Sequence, residues 1–235
     1  DLYASEEICE LAQSFVRRRV AGEPMPYILG EWDFYGMTLT VTPDVLIPRD
    51  DTMAVTELAI KKALFLEQNP RILDLCTGSG CIGLAIARRV KDARVTLGDV
   101  SPAALRVARQ NVGSQRLSGR VKCLTIDVRQ PAAPFLGTFD LIVSNPPFFV
   151  DSLTCPDEGR TAVRHAVHLP YDELRDAVLR LLAPAGRFAV ILPTAEAARF
   201  LAVCAGRLAL VRRTDVRTTP RRPAKRALME FCLLY

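Results

Sequence analysis

The chain has 235 residues, 49% apolar and 24% charged; at roughly 150 residues per domain this is one full domain plus a smaller remainder, and it excludes a disordered tail. Lys and Arg exceed Asp and Glu by 31 to 26, a net charge of +5 that is too mild to establish nucleic-acid binding from the total alone. No apolar run approaches the ~18 to 20 residues of a bilayer span and no leader precedes a cleavage site, so the chain reads as soluble and cytoplasmic, with no membrane partner.

In chain order, Ile8, Leu11, Ala12, Phe15 and Val16 recur at helical spacing behind Ser5, Glu6 and Glu7, which predicts an amphipathic helix over 5–20. Gly22, Pro24, Pro26 and Gly30 read as punctuation, and residues 31–41 read as a β-hairpin turning at Tyr35 and Gly36. The chain begins at Asp1 and not Met, so a preceding segment is expected. Residues 43–50 are extended between prolines, and a helix is predicted over 52–68, ending before Asn69 and Pro70.

From Arg71 the pattern changes. Short apolar runs at 72–76, 94–98, 121–126, 139–143 and 188–192 alternate with amphipathic stretches, one of them the helix 81–89, which predicts a mostly parallel, doubly wound α/β sheet. Residues 208–217 and 227–234 follow one another without a helix, so an antiparallel hairpin is expected to close a sheet of seven strands. Seven cysteines (Cys9, Cys76, Cys81, Cys123, Cys155, Cys204, Cys232) include no CxxC pair, which argues against a disulfide framework or a zinc ribbon. With only His165 and His168 as histidines, no metal centre is expected.

The first strand of the sheet leads into Asp74-Leu75-Cys76-Thr77-Gly78-Ser79-Gly80, where the glycines let backbone approach a ligand at the start of the next helix. The competing reading is a turn that serves packing alone. Asp99 closes the second strand 21 residues after Gly78, near the spacing at which a carboxylate takes two ribose hydroxyls, although Ser101 and Pro102 also suit a helix start that Asp99 would cap. Asp127 closes the third strand, where it would accept from an adenine amine or stand as a solvated loop acid. No GxxxxGK[ST] cradle is present; read as a two-glycine turn without a third glycine in the helix, the loop favours S-adenosylmethionine over a nicotinamide.

The fourth strand ends in Ser144-Asn145-Pro146-Pro147-Phe148. Two prolines hold the chain extended and remove two donors, so the Asn145 side-chain oxygen and the Pro146 carbonyl are presented as acceptors for the two hydrogens of a planar NH2 group. Phe148 would stack on that group, and a rigid turn with Phe148 in the core is the competing reading. Asn145, Pro146 and Phe148 are thus the catalytic candidates, with Pro147 beside them in the substrate site and Asn145 also near the cofactor.

With these motifs assembled, the chain resembles the class I S-adenosylmethionine-dependent methyltransferases that carry an Asn-Pro-Pro-aromatic motif. Residues 15–148, with GEPMPYILGEWDFYG, VTPDVLIPRDDT, DLCTGSGCIGLAIA and SNPPF, look like the protein-glutamine methyltransferases of peptide-chain release factors. Residues 145–235, with NPPFF, RTAVRHAVHLP and ILP, look more like transfer-RNA adenine N-methyltransferases. The resemblance implies a Rossmann-like fold, S-adenosyl-L-methionine as cofactor held at Asp74, Thr77, Gly78, Gly80, Asp99, Asp127 and Asn145, and substrate orientation by residues 145–148. It also implies that residues 1–40 are the remnant of an N-terminal helical domain with its linking hairpin, and 41–235 the methyltransferase domain. Phe148 stands where tyrosine is usual, and Arg49-Asp50-Asp51-Thr52 where arginine-proline-glutamate-threonine is usual.

Eight basic residues between 207 and 226 (Arg207, Arg212, Arg213, Arg217, Arg221, Arg222, Lys225, Arg226), against Asp215 alone, would suit tRNA or other RNA, or be a solvated surface. The expected activity is methylation of a glutamine amide in a release factor; the alternatives are an adenine amine in RNA and a non-catalytic cofactor-binding module on RNA or ribosomes.

Overall fold

A computed structural model describes residues 5–130, 137–147, 169–217, 219 and 221–235. Phe148, Cys155, His165 and His168 lie outside them. Among the described residues no helix is long and apolar enough to cross a membrane.

Helix α1 (Glu6–Val20) starts where Ser5 accepts the Ile8 amide, with Glu6 and Glu7 in its first turn and Arg17, Arg18 and Arg19 in its last. Its apolar stripe is not covered: no residue of α1 is buried, and Ile8, Leu11 and Val16 are more than half exposed. The glycine and proline stretch read as punctuation contains a short helix, α2 (Met25–Leu29). Pro26 sits in its first turn, where the missing N–H costs nothing, and Gly30 ends it at φ 78°. Arg18 ties α1 to this region through Glu23 and the Tyr27 and Ile28 carbonyls.

The hairpin is present as β1 (Glu31–Phe34) and β2 (Met37–Thr40), and positive φ at both Tyr35 (53°) and Gly36 (72°) gives the turn the hand that matches strand twist. Phe34, Met37 and Leu39 are buried in one core cluster with Val55, Ile60 and Ile86. Helix α3 (Asp50–Ala63) starts two residues earlier and ends five earlier than its periodicity predicts; Leu64 and Phe65 past its end are exposed.

Seven strands form the main sheet: β3 (Arg71–Leu75), β4 (Arg94–Asp99), β5 (Val121–Thr125), β6 (Phe139–Ser144), β7 (Leu182–Pro193), β8 (Leu208–Val216) and β9 (Arg226–Leu233), in the order β5-β4-β3-β6-β7-β9-β8. The first five are parallel, and β9 runs antiparallel to both β7 and β8, as the sequence predicts. Strand β7 starts six residues before the apolar run 188–192, because Leu182 pairs with Phe139 ahead of a register irregularity at Leu141. The crossover helices include α4 (Cys81–Arg89), α5 (Pro102–Ser114), α6 (Tyr171–Leu181) and α7 (Thr194–Cys204).

The two-glycine reading of the loop needs correction. Gly83, in α4, is a third glycine at the GxGxxG spacing, and a Cβ there would collide with Leu97 Cδ2 and lie 3.1 Å from Asp74 Cβ. It lets α4 settle on β3 and β4, so glycine count does not separate this loop from a dinucleotide loop.

One buried side chain joins hairpin, helix and loop. Asn111 of α5 donates to the Thr40 carbonyl at 3.0 Å and the Ser79 carbonyl at 2.9 Å, and accepts the Thr40 amide at 2.7 Å. Removing it leaves three backbone groups to be resolvated or stranded. Asn111→Ala is expected to lower unfolding stability by roughly 3 kcal/mol in denaturant titration; a loss below about 0.5 kcal/mol, the level of an indifferent surface substitution, would contradict this tie.

Candidate active site

Register brings the ends of three parallel strands level: Leu75 of β3 pairs with Gly98 of β4 and with Ser144 of β6. The chain order reverses between β3 and β6, and the carboxyl edge at such a reversal is the place where ligands bind open α/β sheets, in the crevice this topology favours. The Asp74–Gly80 loop, Asp99 and Asn145 all stand at this edge.

The loop is built by alternating left-handed residues: Cys76 at φ 61°, Gly78 at 55° and Gly80 at 85°. Gly78 is open above its Cα, with nothing within 4 Å of an added Cβ. Its amide donates to Asp99 Oδ2 at 2.9 Å, while Thr77 N–H donates to the Gly98 carbonyl at 3.0 Å, which moors the loop to β4. Gly80 takes the cap position of α4.

Asp74 is wholly buried under this loop. Its Oδ2 accepts from Thr77 Oγ1 at 2.6 Å and from the Gly83 amide at 2.9 Å, whereas Oδ1 is buried without a hydrogen-bond partner among the described residues. Burial pushes its carboxyl up to about 7, with the Asp99 charge adding to the effect and the Thr77 and Gly83 bonds opposing it. Burial also raises the thiols on either side of the loop, Cys81 to about 12 and Cys76 likewise upward, so neither is a nucleophile at neutral pH.

Asp99 is half-buried, and its Oδ1 accepts the Ser101 amide at 2.9 Å. The cap of α5 is Ser101, whose hydroxyl accepts the Ala104 amide, so Asp99 is not the capping residue. Each Asp99 oxygen takes one backbone N–H and keeps acceptor capacity toward the crevice. Asp127 differs: Arg129 grips it side-on, Nε to Oδ1 at 2.9 Å and Nη2 to Oδ2 at 2.8 Å, and holds its carboxyl below the ordinary value.

At the end of β6, Ser144 is buried and donates to the Leu75 carbonyl at 2.7 Å, pinning the two strand ends together. Asn145 is half-buried, Pro146 buried and Pro147 exposed. The Asn145 Nδ2 donates to Thr52 Oγ1 at 3.2 Å, and its Oδ1 has no hydrogen-bond partner among the described residues. Asp74, Thr77, Gly78, Gly80, Asp99, Asn145, Pro146 and Pro147 therefore share one edge of the sheet, with Asp127 drawn off into its ion pair and Phe148 outside the described residues. Sequence reasoning missed Thr52, Asp51 and Ser144 as neighbours of the motif. Arg226, counted with the basic cluster, is instead turned inward, its Nε donating to Asp51 Oδ2 at 2.7 Å.

Residues 55–170 match the family described as Methyltransferase small domain. The chain is 50% identical over 134 residues to the release factor glutamine methyltransferase of Bordetella pertussis, a match covering 56% of this chain and 47% of that protein. It is 37% identical over 163 residues to the tRNA1(Val) (adenine(37)-N6)-methyltransferase of Bacteroides thetaiotaomicron, covering 68% of each. The chain thus spans about half the length of the Bordetella pertussis relative. Among solved structures, a TehB-like S-adenosylmethionine-dependent methyltransferase from Corynebacterium glutamicum superposes with a TM-score of 0.55 at 16% identity over 96% of this chain and 97% of that one, a likeness of fold.

The buried Asp74 yields a pH test. Its folded value lies above the ordinary carboxylate value, so the stability contributed by the protonated form is complete below about 4 and is lost as pH rises through about 7. Asp74→Asn, which keeps an acceptor and carries no charge, is expected to gain in melting temperature relative to the wild type between pH 5 and pH 8. An equal difference at both pH values would show that Asp74 is not buried as a titrating acid.

Proposed function

We propose that this chain, which belongs to the class I S-adenosylmethionine-dependent methyltransferases of the Methyltransferase small domain family, methylates the side-chain nitrogen of a glutamine in a protein, a peptide-chain release factor. The observation that carries the reading is the Asn145 side chain at the carboxyl edge of β6, its Nδ2 held by Thr52 and its Oδ1 without a hydrogen-bond partner among the described residues. Support for glutamine over other planar amines comes from the 50% identity to the release factor enzyme.

The residues present fit the cofactor. Open space above Gly78, the spare acceptor capacity of Asp99 and the unpartnered Oδ1 of Asp74 offer, in turn, room for backbone contact, acceptors for ribose hydroxyls and an anionic site for an ammonium group. When bound, S-adenosylmethionine would supply an electrophilic methyl group whose bond to sulfur breaks on transfer, the electron pair staying on the sulfur of the departing S-adenosylhomocysteine. Asp127 serves an adenine amine only through the acceptor capacity that Arg129 leaves.

The chain's own part is orientation. An amide nitrogen shares its lone pair with the carbonyl and is a weak nucleophile. Asn145 Oδ1 and the Pro146 carbonyl take its two hydrogens, which fixes the nitrogen's direction and raises its electron density as the N–C bond forms. The same acceptors stabilise the positive charge that develops on nitrogen, and one proton leaves to solvent after transfer. Phe148 is assigned to stacking on the amide plane.

A second reading, an adenine amine in RNA, is favoured by the 68% coverage of the adenine methyltransferase and by Arg212 and Arg213, exposed on edge strand β8. Labelled methyl transfer into extracts pretreated with ribonuclease or with protease separates the two. Label that survives ribonuclease and not protease is expected; label lost only with ribonuclease would replace glutamine by adenine. Asn145→Ala is expected to slow transfer about 100-fold at saturating cofactor, and a variant with wild-type turnover would remove Asn145 from the reaction.

A further inference from the structure

The hydrogen-bond senses around Asn145 can be followed outward from the motif. Arg226 of β9 donates through Nε to Asp51 Oδ2 at 2.7 Å, so the Asp51 carboxyl serves as an acceptor there. The Thr52 hydroxyl donates to Asp51 Oδ1 at 3.4 Å, and Thr52 itself is 2% exposed. Since a hydroxyl has one proton, the Thr52 oxygen meets Asn145 only as an acceptor. The Asn145 carboxamide must then turn its NH2 toward Thr52, as observed, which leaves its Oδ1 on the side away from that hydroxyl.

We infer that Thr52 is a positioning residue that sets the direction of the Asn145 amide, with Asp51 and Arg226 fixing the polarity of the Thr52 hydroxyl. The inference rests on the reading that Asn145 Oδ1 accepts from the substrate nitrogen. Without it, the carboxamide is free to rotate by half a turn and present a donor to an NH2 group that also donates, a repulsive pairing. The line spans three separated parts of the chain: the first turn of α3, the end of β6 and the start of β9. A second ion pair, Lys62 Nζ to Glu230 Oε1 at 2.8 Å, secures the other end of α3 to β9, so α3 lies across the sheet as a strut that presents Thr52.

Three variants in the same chain test this. Thr52→Val keeps shape and removes the acceptor; it is expected to lower kcat at least 10-fold while the dissociation constant for S-adenosylhomocysteine, by calorimetry, stays within about two-fold. Thr52→Ser restores the acceptor and is expected to recover kcat to within about three-fold of wild type, which a loss of packing alone would not do. Asp51→Asn, able to donate back to Thr52, is expected to fall between them. Equal kcat for Thr52→Val and wild type, or equal loss in Thr52→Val and Thr52→Ser, would overturn the inference.

A readout independent of turnover covers the case in which the wild type transfers no methyl group, an outcome that would sink the proposed reaction itself. The chain has three asparagines, Asn69, Asn111 and Asn145, so 15N-asparagine labelling gives few side-chain NH2 signals. The Asn145 pair, identified by its loss in Asn145→Ala, is expected to exchange with solvent at least 10-fold faster in Thr52→Val than in wild type. Unchanged exchange would show that Thr52 does not hold the amide.

Discussion

Strand β3 has β4 on one side and β6 on the other, and all three run the same way, with Leu75 level with Gly98 and Ser144. The chain proceeds outward from β3 to β4 and β5, then returns to lay β6 on the opposite flank. A reversal of this kind is where open α/β sheets take ligands, a consequence of strand order before any side chain is considered. Every candidate contact at the site takes its position from this reversal. Ser144, hydrogen-bonded to the Leu75 carbonyl, fastens the two strands at the point where their loops separate.

The polar groups buried near that edge are mostly those that shape its loops. Asp74 receives Thr77 and Gly83, Asn111 receives and donates to Thr40 and also holds Ser79, and Thr52 sits between Asp51 and Asn145. Burying such groups is costly unless they are satisfied, so each is a strong constraint on backbone position once it is. Asp74 Oδ1 is the exception, an acceptor withdrawn from water with no hydrogen-bond partner among the described residues. A cationic ligand group at that oxygen would remove the penalty and draw the carboxyl back to its charged form.

Much of this was legible in the sequence where signals were local. Helix 81–89, the Tyr35–Gly36 turn and the reversed terminal hairpin follow from periodicity and turn chemistry, and the motif residues fall at strand ends because those strands are short apolar runs. Local rules mislead at Pro26, which opens a helix turn where a proline suggests a stop, and at Gly83, whose role depends on the approach of Leu97 from another strand. The apolar stripe of α1 was read correctly as periodicity, yet the pattern carries no information about what covers it. The links from Arg226 through Asp51 to Asn145 join residues up to 175 positions apart, and no local spacing encodes such a meeting. Arg226 shows this most plainly, since in sequence it is the eighth of a basic cluster and in the fold it faces inward to an acid.

The central claim is that the loop after β3 and the motif after β6 serve one ligand pair, cofactor on one side of the crevice and acceptor nitrogen on the other. A crystal structure with S-adenosylhomocysteine tests it most directly. The account expects both ribose hydroxyls on Asp99, the adenosine over Gly78, and the sulfur turned toward Asn145. A ligand bound elsewhere, or one whose sulfur faces away from Asn145 while Asp99 keeps only its bonds to Gly78 and Ser101, would contradict it.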